Sequence, residues 1–178
     1  MKKRTPWMGL AIAGLLVVLA AYGLSQYGPP TDPQPPQPPT PTQQPAALVV
    51  LTATITTTQE VPTPTVTTPA IGAGVFVFDP TTNTLNFTIA YKGLSGAATA
   101  AHFHNGAPGV AGPVVQTICG APAPALLGAC PTSTGGFLTG TWTVPANLVP
   151  VVLAGGLYVN IHTGANPAGE IRGQINPL

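Results

Sequence analysis

Leu157-Tyr-Val-Asn-Ile-His162 and Glu170-Ile-Arg-Gly-Gln-Ile175, parted by Thr163-Gly-Ala-Asn-Pro-Ala-Gly169, decide how this chain folds. Along both runs apolar and polar residues alternate, which is the period of a half-buried strand. The Gly, Asn and Pro between them are turn formers. The two runs therefore read as a C-terminal β-hairpin. Side chains alternate across a strand, so Val159, Ile161, Ile171 and Ile175 share an apolar face. Tyr158, Asn160, His162, Glu170, Arg172 and Gln174 share the opposite one.

The same alternation recurs upstream. Leu48 to Thr58, Gly72 to Phe78 and Leu85 to Tyr91 read as strands, the last with Leu85, Phe87, Ile89 and Tyr91 on one face. Asp79-Pro-Thr-Thr-Asn83 is a turn between the second and third. Thr99 to His104 and Phe137 to Val144 add two more strands, and Val144 to Ala154 has room for one helical turn. Thr, Val, Ala, Gly and Pro dominate, and the Glu, Lys, Leu and Gln that build helices are scarce. Seven or so short strands separated by turns predict an all-β fold, an Ig-like or Greek-key β-sandwich or barrel.

Before Ala46 the pattern changes. Lys2, Lys3 and Arg4 precede an apolar run from Met8 to Leu24, the layout of a signal peptide or signal anchor over residues 1–27. As a helix the run would reach roughly 26 Å, slightly short of a hydrocarbon core of about 30 Å. Both a retained anchor and a cleaved signal are open on this reading. Residues 28–45 (GPPTDPQPPQPPTPTQQP) are proline-rich and read as a polyproline linker of up to about 50 Å. Residues 46–178 form one domain of ordinary size. The expected location is therefore extracytoplasmic, in the cell envelope or secreted, with the membrane contacted through the N-terminal segment.

Charge narrows the function further. Of five Lys and Arg in 178 residues, only Lys92 and Arg172 follow the apolar run, and the acids are Asp32, Glu60, Asp79 and Glu170. No basic footprint for nucleic acid exists. No phosphate-cradling glycine loop, no nucleophile beside a histidine and no paired carboxylates point to hydrolase or nucleotide chemistry. Cys119 and Cys130 close a loop-like stretch, and in an exported chain the pair reads as a local disulfide.

All three histidines lie in two strands. His102 and His104 occupy alternate positions, so both point to one face, about 7 Å apart at the backbone. His162 stands on the polar face of the C-terminal hairpin. Imidazole is a good ligand for copper and zinc, and three histidines with an open position suit a reactive metal. Glu170 is a candidate to orient a ligand histidine through its second ring nitrogen, and Arg172 to attract a small anion. The competing reading is a set of hydrogen-bonded sheet side chains, with Glu170 paired to Arg172 or to a neighbouring strand.

Leu85 to Ser95, Ala100-Ala-His-Phe-His-Asn-Gly106, Gly156 to Thr163 and Asn166-Pro-Ala-Gly-Glu-Ile-Arg-Gly-Gln174 resemble the chordin-type (CHRD) domain over most of residues 46–178. That resemblance implies exposure outside the cytoplasm and a β-sandwich, not a reaction. More distantly, Gly93-Leu94, His102, His104, Cys119, His162 and Gly169-Glu-Ile-Arg172 are similar in order to the motifs of copper/zinc superoxide dismutases. By that likeness the three histidines would bind copper and Arg172 would guide superoxide as the catalytic arginine. No histidine lies between His104 and His162, so the bridging histidine and the zinc cluster are missing and a copper-only site is implied. Two expectations follow: a copper-binding domain with superoxide dismutase-like activity, or a non-enzymatic adhesion module that docks an envelope protein complex.

Overall fold

The computed structural model describes residues 46–178; the signal or anchor segment expected over 1–27 and the linker over 28–45 lie outside the described residues. Eight strands, β1 (Val49–Thr56), β2 (Ile71–Asp79), β3 (Thr84–Lys92), β4 (Ala98–Asn105), β5 (Val114–Gly120), β6 (Gly136–Thr143), β7 (Leu157–Thr163) and β8 (Ile171–Pro177), form one antiparallel sheet. Their order is β5-β4-β7-β8-β1-β2-β3-β6. A five-residue helix, α1 (Val149–Leu153), fills the segment where one helical turn was expected. The fold class is the all-β, barrel-like one expected from the alternation.

The sheet rolls until its ends face one another. Phe103 of β4, one strand in from one edge, stacks on Trp142 of β6, the other edge, with ring centroids 5.5 Å apart. It also meets Phe87 of β3 edge-on at 5.3 Å. The inward residues of β3 are Leu85, Phe87, Ile89 and Tyr91, all buried, as their parity requires. In β2 parity turns Gly72 and Gly74 inward with Phe76 and Phe78, and the Phe76 ring lies where a Cβ on Gly74 would stand. Small and large residues thus interlock in one continuous core.

The expectation of seven or so strands misses β5. It follows Pro113, lies at the sheet edge and pairs with β4 through two register shifts, one between Ala101 and His102 and one between Phe103 and His104. Those shifts break the strict alternation that sequence periodicity depends on. The other hairpins keep their register, and β4 pairs with β7 so that Ala100 faces His162, His102 faces Asn160, and His104 faces Tyr158.

Candidate metal centre

The strip formed by β4, β7, β8 and β1 carries aliphatic and aromatic residues inward and polar residues outward. One outward row runs His102, Asn160, Arg172, Thr56 across four strands. All but Thr56 are buried all the same: Asn160 is 2 % exposed and Arg172 1 %. The loops following β4 and β5, and the turn of the β7–β8 hairpin, supply backbone partners to this row. The result is a polar layer outside the apolar core, with every group in it required to find a partner.

The histidines find theirs in backbone carbonyls. His102 Nε2 lies 2.6 Å from the Ala121 carbonyl, His104 Nδ1 2.8 Å from that of Gly112, and His162 Nδ1 2.9 Å from that of Pro167. A carbonyl can only accept, so each of those nitrogens carries the proton. A neutral imidazole has one N–H, which leaves a lone pair on His102 Nδ1, His104 Nε2 and His162 Nε2. One ring nitrogen from each histidine lies within 4.8 Å of the others, so the buried triad could hold a metal ion.

The spacing of those lone pairs matters. His102 Nδ1 and His162 Nε2 stand 2.9 Å apart, and Asn160 Oδ1 lies 3.0 Å from the same His162 nitrogen. His104 Nε2 is buried with no hydrogen-bond partner. Acceptors that crowd together want a cation between them. A proton is a poor choice near neutral pH: burial holds the His162 pKa down to about 4, the Pro167 carbonyl offsets part of that, and His102 and His104 add to the depression. Burial likewise lowers the pKa of His104. The donor set fits a metal ion of the kind imidazole prefers.

Tyr158 and Arg172 back the triad. The Tyr158 ring stacks on His104 with centroids 4.6 Å apart and planes 11° from parallel. The Arg172 guanidinium lies 3.4 Å over that ring and donates to the carbonyls of Val110 and Ala107, both at 2.9 Å. Arg172 is thus a brace for the 106–113 loop. The anion-guiding role expected for it has no exposed guanidinium to perform it.

Glu170 also differs from its expected part. Its Oε1 accepts from Ser95 N at 2.7 Å and Thr68 Oγ1 at 2.8 Å, and its Oε2 from Ser95 Oγ at 2.5 Å and Thr163 Oγ1 at 2.6 Å. No histidine is among those partners, and carbonyls do the orienting. Burial would raise the Glu170 pKa, but the hydrogen bonds from Ser95, Thr163 and Thr68 outweigh it and hold the group at about 2. Glu170 is a fully buried carboxylate knot that fastens the β3–β4 connection to β7 and β8.

Sequence reasoning gave no part to Glu60. This residue follows the turn after β1, is 5 % exposed, and fills the space beside Gly169 that a Cβ there would occupy. Burial pushes its carboxyl up to about 7 against the pull of Val61 N–H, Arg172 and Asn160. Its signal was its isolation, a lone acid in a Thr and Pro run. Cys119 and Cys130 are joined in a disulfide, which fits an oxidising, extracytoplasmic compartment. No helix among the described residues is long and apolar enough to cross a membrane.

The family model described as the CHRD domain matches residues 51–175. The chain belongs to the CHRD domain family. That match spans every strand named above except the first two residues of β1 and the last two of β8. No curated protein and no solved structure matches the chain. The likeness to copper/zinc superoxide dismutases therefore rests on the order of residues alone.

Proposed function

We propose that this CHRD domain is an extracytoplasmic copper-binding module whose ligands are His102, His104 and His162. The observation that supports the reading is the convergence of one ring nitrogen from each histidine within 4.8 Å, with each ring also in hydrogen-bond distance of a backbone carbonyl. For a given nitrogen site copper binds more tightly than the other divalent first-row ions, zinc included. The N-terminal segment, as anchor or signal, and the proline-rich linker would hold or deliver the domain outside the membrane. Dismutation of superoxide asks in addition for a path by which the anion reaches the metal, and Arg172 is enclosed, so the reading stops at metal binding.

The test is copper uptake by the full chain. One equivalent should bind, X-ray absorption should give a first shell of nitrogen, and His104→Ala should lose the site while melting near the wild-type temperature. Absence of saturable uptake overturns the reading.

A second reading is favoured by a different face. Ile71, Val75 and Phe137, at 43 %, 53 % and 72 % exposed, form an apolar surface on β2 and β6. Surfaces of this kind mark docking sites, and this one supports a module that joins an envelope protein complex with or without metal.

A further inference from the structure

The reading that His102, His104 and His162 hold a metal leaves its charge open, and the surroundings of the triad bear on it. No carboxylate is among the donors. The acids of the described residues are Glu60, Asp79 and Glu170. Asp79 is spent on the turn after β2, where it accepts from Thr81 N and Thr82 Oγ1. Glu170 is consumed by Ser95, Thr68 and Thr163. Glu60 lies against Gly169, within the field of Arg172 and within hydrogen-bond reach of Asn160, where burial favours its neutral acid. A bound ion would therefore keep its full charge in a site 6 to 8 % exposed at its three ligands.

The charge stacked behind a ligand ring is positive. Arg172, Tyr158 and His104 form one stack, so a guanidinium stands one ring away from a ligand. The cost of taking an ion out of water rises with the square of its charge, which makes it about four times larger for a divalent than for a monovalent ion of similar size. Repulsion from Arg172 doubles over the same step. Both effects select for low charge.

Ligand chemistry then selects the element. Sodium and potassium prefer oxygen donors, whereas imidazole suits a softer ion. Divalent copper favours a tetragonal set and zinc a tetrahedral one, each wanting a strong fourth donor, and the further acceptor beside the triad is a neutral amide oxygen, Asn160 Oδ1, 3.0 Å from His162 Nε2. A monovalent d10 ion is satisfied by three. Among the described residues there is no methionine, and the two cysteines are bonded to each other.

We infer that the triad is built for a soft monovalent cation, cuprous copper, in preference to cupric copper or zinc. Three neutral imidazoles hold that ion in an oxidising compartment, where a thiolate site would be lost to disulfide formation. The centre is then a holder of reduced copper, and it raises the potential of the couple.

The test compares ions on the full chain. Cu(I) is titrated anaerobically against bicinchoninate, Cu(II) and Zn(II) against chromophoric chelators of known affinity, and Ag(I) serves as a redox-inert probe. Cu(I) should bind at least about 100-fold more tightly than Cu(II), which raises the midpoint potential by about 120 mV over the aqueous couple at 59 mV per decade. Ag(I) should displace Cu(I) in equimolar fashion. Binding of Cu(II) or Zn(II) as tight as that of Cu(I) overturns this inference and leaves the metal centre standing. Failure of all four ions to bind overturns the metal centre itself.

Discussion

Gly112 carries more of the centre than any side chain nearby. Its carbonyl accepts from His104 Nδ1, its N–H donates to Tyr158 Oη at 3.1 Å, and a Cβ at this position would stand 1.8 Å from the Asn105 carbonyl oxygen. Gly112→Ala must therefore push the loop off its seat and swing the His104 ring. Copper affinity should fall roughly 10- to 100-fold, as it does when an orienting partner of a ligand is lost, read by chelator competition. Glu170 gives a prediction of a different kind. Its folded pKa of about 2 lies below the ordinary 4.5, so it stabilises the fold fully above pH 4.5 and loses that contribution as pH falls toward 2. The loss should reach at most about 3 kcal/mol at 1.36 kcal/mol per pKa unit, and urea midpoints of Glu170→Gln should fall less over that window than those of the wild type, since Asp79, whose pKa is also lowered, titrates in both. The faces of these residues were legible in the sequence, because strand parity puts His102 and His104 on one face of their strand and His162, Glu170 and Arg172 on one face of the C-terminal hairpin. Their partners were not. Ser95 and Thr68 lie 75 and 102 positions from Glu170, and the groups that orient the histidines are backbone carbonyls, which carry no residue signature.

Among the elements, β4 does two jobs with one alternation. Outward it presents His102 and His104; inward it presents Phe103, whose ring touches Phe76, Phe87 and Trp142. Phe103→Ala should cost about 3 to 5 kcal/mol, the range for a fully buried aromatic, measured by chemical denaturation. It should also weaken copper binding, since the same strand seats two ligands. Periodicity found β4, β7 and β8 because their runs are unbroken, and it missed β5 because register shifts and an edge position dilute the pattern there. The partnership of β4 with β7, which brings His162 to the other two, lies beyond the reach of any local pattern. It follows from the rolling of the sheet and the pairing of Ala100 with His162.

At the scale of the molecule, the domain has two faces with separate chemistry. The polar layer on β4, β7 and β8 holds the triad, and the opposite half of the sheet exposes Ile71, Val75 and Phe137. Because Phe137 is largely solvent-exposed, Phe137→Ser should change stability by no more than about 0.5 kcal/mol. Copper affinity should stay at the wild-type value, and any self-association or envelope pull-down that depends on this face should weaken. Those readouts separate the proposed docking role from the proposed metal role in one variant.

The loop closed by Cys119 and Cys130 has a consequence for timing. Ala121, whose carbonyl fixes the His102 tautomer, sits two residues beyond Cys119 and inside the cross-linked ring. A newly made chain has thiols there, and until they oxidise the ring is open and His102 has no anchored acceptor. On the copper-binding reading proposed above, maturation has an order, oxidation first and metal second. A reduced chain, or Cys130→Ser, should take up copper more weakly than the oxidised protein in the same titration; the proposed centre would then form only where the disulfide can, and stay incompetent in a reducing compartment.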